Sequence, residues 1–229
     1  MPVPKVKTVD PASDGIWRIG RGSNPLALRP PEPNTLLSST LGNRFDSPDG
    51  KFVMLYFGTM LETCFVETLA RFRPDLDVVA VIKEEWEENN FMVVGSVPQE
   101  WRVKRSAVRV QVAEEFTFLD VESPDTHQYL RDELALGLSA LGYKDLDSST
   151  VRGPDRRVTR LIADWAFQQT NDDGSPTFGG IRYHSRIGGT NECWAVFHDV
   201  PVNPIETRPI VCEMPELLAV ANQFDLRVF

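Results

Sequence analysis

Apolar residues recur along this chain in two periods. Leu61, Phe65, Leu69 and Phe72 fall at helical spacing, predicting a helix from Thr59 to Phe72 that Pro74 stops. Leu130, Leu134, Leu138 and Leu141 mark a second helix. Ser123-Pro124 opens it as cap and first-turn proline, and Gly142 closes it. Val158, Leu161, Ile162 and Trp165 mark a third over about 155–169. Between them the pattern shortens to that of strands. Ile16-Trp17-Arg18-Ile19, Phe52–Phe57, 77–82, 91–97, 106–112, 116–121, 181–185 and 194–197 all concentrate β-branched and aromatic residues. Phe52–Phe57 is apolar on both faces and so reads as a central, covered strand.

The breakers between these segments shape the rest. Pro25, Pro30, Pro31 and Pro33 keep the 22–41 stretch out of any sheet interior, and such a loop is suited to fold over a site as a lid. Asp46-Ser47-Pro48-Asp49-Gly50 is turn chemistry. It suggests a hairpin with Arg44 on one arm and Tyr56 on the other. Gly188-Gly189 joins the last two strands. Residues 1–14 read as an irregular leader and 15–229 as a single α+β domain, with central mixed or antiparallel sheets flanked by helices.

Charge and composition narrow the function. Net charge is −9, which disfavours direct nucleic-acid contact. The one basic cluster is Arg152, Arg156, Arg157 and Arg160, most simply a solvated helix face with anion or partner contact as the alternative. No apolar run approaches the ~20 residues of a membrane helix, and the first residues lack the apolar core of a secretory signal. The reading is therefore cytoplasmic, with no membrane contact. Cys64, Cys193 and Cys212, with His127, His184 and His198, have no metal-binding spacing. No metal is expected, and Cys64 and Cys193 read as buried thiols.

Two segments carry the chemistry: GNRFDSPDGKFVMLYFGTMLETCFVETLARFR at 42–73 and GGIRYHSRIGGTNECWAVF at 179–197. Together with Trp17-Arg18, and in this order, they resemble the RES family over roughly residues 15–200. The resemblance implies a fold like that of ADP-ribosyltransferase toxins. It implies NAD+ as substrate, cleaved at its nicotinamide bond by hydrolysis or phosphorolysis, and no prosthetic group. It also implies an antitoxin partner with a helix-turn-helix domain. Position by position, the family's functional residues fall on Arg44, Tyr56, Glu67 and Ser185, with Arg18 as an early arginine and Arg186 as a further anion contact. Here Asn43 separates Gly42 from Arg44, where many members have glycine directly before arginine. The 22–41 and 84–105 stretches are long for a minimal toxin.

These residue types suit that chemistry. Cleaving the glycosidic bond builds positive charge on the ribose, which a carboxylate at Glu67 would stabilise. The planar fork of an arginine suits a pyrophosphate, so Arg44 and then Arg18 are the candidates. Tyr56 would stack on the cationic nicotinamide. Ser185 would hydrogen-bond the ribose or Glu67. If inorganic phosphate is the acceptor, one positive group must hold it. Taken singly, each residue has a plainer reading. Glu67 is an i,i+4 ion-pair partner of Arg71, Tyr56 is core, Arg44 is solvated and Ser185 is incidental. ADP-ribosyl transfer to a protein, and a non-enzymatic binding module, remain open alternatives. A homodimer is the default assembly.

Overall fold

A computed structural model describes residues 5–77 and 95–229. Its main sheet has eight strands: β1 (Thr8–Val9), β2 (Ile16–Arg21), β3 (Met54–Gly58), β5 (Arg105–Val112), β6 (Phe118–Asp120), β7 (Gly180–His184), β8 (Glu192–Phe197) and β9 (Val202–Pro209). Their order across the sheet is β1-β6-β7-β8-β3-β2-β5-β9. Every neighbouring pair is antiparallel except β6 and β7. Two short strands, β4 (Ser96–Val97) and β10 (Arg227–Val228), form a separate parallel pair. The helices are α1 (Leu61–Leu69), α2 (Gln99–Val103), α3 (Pro124–Glu133), α4 (Ala135–Ala140), α5 (Ser148–Arg152), α6 (Arg156–Phe167) and α7 (Pro215–Gln223). Among the described residues no helix is long and apolar enough to cross a membrane.

Strand alternation divides the apolar residues into two cores. Ile16, Val108 and Val110 face a large core completed by α3 to α6, through Leu130, Leu138, Val151, Val158 and Ile162. Trp17 and Ala107, one residue out of phase, face a smaller core with Leu61, Phe65 and Leu69 of α1 and Leu217 and Val220 of α7. Helices thus flank the sheet, as the α+β reading expected. The covered strand is also found, since β3 lies inside the sheet between β8 and β2.

Several expectations need correcting. No hairpin forms across Asp46–Gly50, because residues 42–53 carry no strand. The arms are joined instead by side chains: Tyr56 Oη accepts the Phe45 N–H at 3.2 Å. The helix from Pro124 breaks at Leu134, where ψ turns to 14°, into α3 and α4. Ser123 caps α3 in position, but its side chain makes no cap hydrogen bond. The leader is not wholly irregular, since Thr8–Val9 adds an edge strand against β6. Of the strand expected at 91–97, residues 95–97 are among the described residues and only Ser96–Val97 is strand, and 78–82 of the other lies outside them. β9 went unrecognised because Pro204 and Pro209 argue against a strand. It is tolerated as the outermost strand, next to a bulge at Arg109/Val110.

One irregularity positions the site. β2 pairs with β5 over six residues and β3 with β8 over five, yet β2 and β3 meet only at Trp17 and Gly58. Beyond that point they splay apart. Arg18 spans the gap, donating from Nη1 to the Tyr56 carbonyl at 3.0 Å and from Nε to the Pro25 carbonyl at 2.9 Å. Pro25 lies so close to β2 that a Cβ at Gly20 would come within 2.1 Å of its carbonyl oxygen.

Candidate active site

A cavity of about 800 Å³ opens in this splay. Its walls come from β2, β3, α1, the 42–44 turn, β7 and the loop after it. Seven arginines line it: Arg18, Arg21, Arg29, Arg44, Arg71, Arg156 and Arg186. Glu67 is the lone carboxylate among them. Among the described residues none of the seven forms an ion pair. In a chain with more acidic than basic residues, so many unneutralised guanidinium groups around one space make a receptor for an anion.

Glu67 sits on the face of α1 turned toward the cavity, with Thr63, Cys64 and Thr68. The opposite face, through Leu61, Phe65 and Leu69, is buried in the smaller core and fixes the helix. The carboxylate is accessible, and the ion pair with Arg71 that the spacing suggested does not form. Both side chains instead line the cavity.

Arg44 is half-buried rather than solvated. Nη2 donates to the Val151 carbonyl at 2.7 Å and Nη1 to the His184 carbonyl at 3.3 Å. The guanidinium stands over the Phe45 and Tyr183 rings at 5.3 and 5.1 Å. Burial pushes its pKa down, while Tyr183 and Glu67 act the other way. Nε has no partner. Thr63 Oγ1 and Arg156 Nε, on two other walls, are likewise buried and unpartnered. Leaving a buried polar atom unsatisfied costs about 1–3 kcal/mol. Among the described residues, three of the seven such atoms belong to side chains that line this cavity.

Tyr56 lines the cavity from β3 and is anchored from behind. Its hydroxyl donates to Asp46 Oδ1 at 2.9 Å, and Asp46 also accepts from the Asn43 N–H at 2.7 Å. Burial, then Asp46, raises the phenol well above its ordinary range. The plainer reading, a packed tyrosine with its hydroxyl satisfied, is met, and the side chain also lines the cavity. Tyr56→Phe would orphan the Phe45 N–H and leave Asp46 Oδ1 with the Asn43 side-chain amide at 3.2 Å as its donor. It should cost about 1–3 kcal/mol in chemical denaturation, and a loss below the error of that measurement would show the network to be dispensable.

Ser185 is buried just behind the wall and is not among the lining residues. Its Oγ accepts the N–H groups of Ile187 and Gly188, both at 3.1 Å. It thereby shapes the turn that carries Arg186 and Ile187 into the cavity. His184, on β7, is held by Glu122, which accepts its N–H at 2.8 Å, and by Arg152, whose Nη2 lies 2.9 Å from Nδ1. Burial, then repulsion from Arg182, holds its pKa below the ordinary value. The folded state therefore binds fewer protons than the unfolded chain, and stability falls as pH drops through about 6.5. Thermal melts at pH 7.5 and 5.5 should show a smaller acid loss in His184→Gln than in the wild type. An equal loss in both would exclude this histidine as the cause.

The RES domain family model matches residues 16–211. The chain belongs to the RES domain family. No curated protein matches it by sequence. A chain of the M. tuberculosis MbcT–MbcA toxin–antitoxin complex is a structural neighbour, at 11% identity and a TM-score of 0.48, covering 93% of this chain and 90% of that one. Within this RES domain the cavity gathers Arg18, Arg44, Tyr56, Glu67 and Arg186 from five separate segments, with Ser185 behind them. Sequence reasoning did not single out Tyr183, Thr63, Arg29 or Arg156 as lining residues. Tyr183 and Thr63 stood within the quoted segments, and Arg156 in a cluster read as solvent-facing. Nothing around Arg29 distinguishes it locally. The rest of that cluster is structural: Arg152 and Arg157 pair with Glu122 and Asp155, and Arg160 is buried.

Proposed function

We propose that this RES domain binds NAD+ and cleaves its nicotinamide–ribose bond. One observation carries the reading: a lone carboxylate, Glu67, faces seven arginines that form no ion pair among the described residues, across a cavity of dinucleotide size. A pyrophosphate needs the guanidinium groups, and a ribose gaining positive charge needs the carboxylate. Arg18 and Arg44 are already oriented by backbone carbonyls, so little ordering remains to be done when substrate enters.

In the reaction the C1′–N bond breaks and its electron pair passes to the pyridinium nitrogen, releasing neutral nicotinamide. Glu67 stabilises the cationic ribose that remains. Water or hydrogen phosphate then adds at C1′ and gives up a proton. Tyr56 and Tyr183 supply aromatic walls beside the cationic ring, and Ser185 acts by holding the Arg186 turn. The product is ADP-ribose with water and its 1″-phosphate with phosphate. The family resemblance also implies a restraining antitoxin. Leu37 and Leu41, exposed on the loop that frames the cavity, offer an apolar surface for such a partner.

The test is purified protein with NAD+, with and without phosphate, followed by chromatography of nicotinamide and the ribosyl product. Release in one or both buffers is expected. Folded protein that releases none in either buffer would overturn the reading. Label passing from NAD+ into protein, without free ADP-ribose or its phosphate, would point to transfer instead.

A further inference from the structure

Among the described residues Arg44 pairs with no carboxylate, yet its guanidinium is fixed by two backbone carbonyls, Val151 on α5 and His184 at the end of β7. One side chain ties these two anchors together. Glu122 follows β6, its side chain is 6% exposed, and it does not line the cavity. Oε1 accepts the His184 N–H at 2.8 Å. Oε2 accepts from Arg152, from Nε at 2.9 Å and from Nη2 at 2.6 Å. Arg152 closes the ring, since Nη2 also donates to His184 Nδ1 at 2.9 Å.

The backbone makes this ring a clamp. The Val151 carbonyl that Arg44 uses belongs to the same peptide unit as the Arg152 N–H, and that unit is planar and stiff. His184 bears both the N–H that Glu122 holds and the carbonyl that Arg44 uses. A single carboxylate thus grips the residue at each of the two anchors. Among the described residues the one direct hydrogen bond between α5 and β7 is that from Arg152 to His184, so Glu122 is their main brace.

The indirect arrangement has a chemical reason. A carboxylate bonded directly to Arg44 would orient it and also neutralise the charge that an anionic ligand needs. Glu122 directs its charge to Arg152 and leaves Arg44 with uncharged carbonyl acceptors. Glu67 is the other claimant, since it acts on the Arg44 charge without forming an ion pair with it. A loosened Arg44 would be free to swing onto Glu67, removing an anion contact and the lone carboxylate together. We infer that Glu122 is a positioning residue, which acts through Arg152 and His184 to hold Arg44 in the pose that receives the ligand's pyrophosphate. This rests on the dinucleotide reading above and adds to it a residue that touches no ligand.

Glu122→Gln keeps the size of the side chain and removes the charge that holds Arg152. Its affinity for ADP-ribose, read by calorimetry, should fall about tenfold. In the cleavage assay KM should rise about tenfold, with kcat changed less than about threefold. A merely destabilised protein would lose kcat with its folded fraction and keep KM. Arg44→Lys should also weaken ADP-ribose about tenfold, and the double variant should bind within about twofold of Arg44→Lys alone. Additive losses, about a hundredfold in the double variant, would overturn the assignment, as would unchanged affinity and KM in Glu122→Gln. Should Glu122→Gln fail to fold, Arg152→Lys, which keeps the charge without the planar fork, enters the same cycle with the same expected outcomes. If the wild type binds no ADP-ribose, the dinucleotide reading falls, and the Arg44 Nε–H resonance in heteronuclear NMR decides. Assigned by its loss in Arg44→Lys, that resonance should be shifted or broadened in Glu122→Gln, and an unchanged resonance would refute the positioning role.

Discussion

Glu67→Gln should reduce nicotinamide release by on the order of 10²–10³-fold while leaving the melting temperature within about 2 °C of wild type. The two halves of this expectation have separate causes. Glu67 has no hydrogen-bond or ion-pair partner among the described residues, and it is exposed to the cavity. Changing carboxylate to carboxamide therefore breaks no contact that holds the fold, and surface changes of this kind stay within about 0.5 kcal/mol. The same change removes the one negative charge among seven arginines. A ribose acquiring positive charge would then face only guanidinium groups. Substrate binding should survive or tighten, because the pyrophosphate loses a repelling neighbour, so the effect belongs in kcat. Full activity in a folded Glu67→Gln protein would remove the carboxylate from the chemistry.

Arg160→Met should be the most destabilising single change, by about 3 kcal/mol or more. Arg160 is 1% exposed and donates only to backbone carbonyls, those of Thr35, Leu36, Ser38, Leu41 and Asn43, at 2.5–3.3 Å. Around it Arg156 donates its N–H to Ser39, and Thr159 its hydroxyl to Arg44. One side chain thus fastens a loop that has no strand partner of its own. Gly42 completes the fit: its φ is +77°, and a Cβ there would lie 2.6 Å from Arg160 Nη2. Methionine fills the space but satisfies none of the five carbonyls. For a chain of this size the melting temperature should fall by about 6–12 °C, and chymotrypsin should cut at Leu36 or Leu37. Lysine should rescue little, since an ammonium cannot reach acceptors spread around a planar fork. A shift below about 2 °C would show that the loop holds itself.

How much of this was visible in the sequence depends on the range of the interactions. Helical and alternating patterns reported α1, α6, β2, β3, β5, β7 and β8, because burial of one face writes its period into the chain. Glu67, Arg44, Tyr56, Arg18 and Arg186 were named from motif order, and the cavity does bring them together. What stayed hidden was tertiary. The single bridge between β2 and β3, which opens the cavity, has no local signature. Arg160 looked like part of a solvated basic face because its five acceptors lie 117–125 residues away. The hairpin inferred from Asp-Gly turn chemistry failed because Tyr56 Oη and Asp46 already bind the N–H groups of Phe45 and Asn43.

The most direct measurement is a crystal structure of Glu67→Gln soaked with NAD+. The nicotinamide ribose should lie against residue 67, with the pyrophosphate between Arg18 and Arg44. Dinucleotide bound elsewhere, with this cavity holding only water, would contradict the assignment of the site.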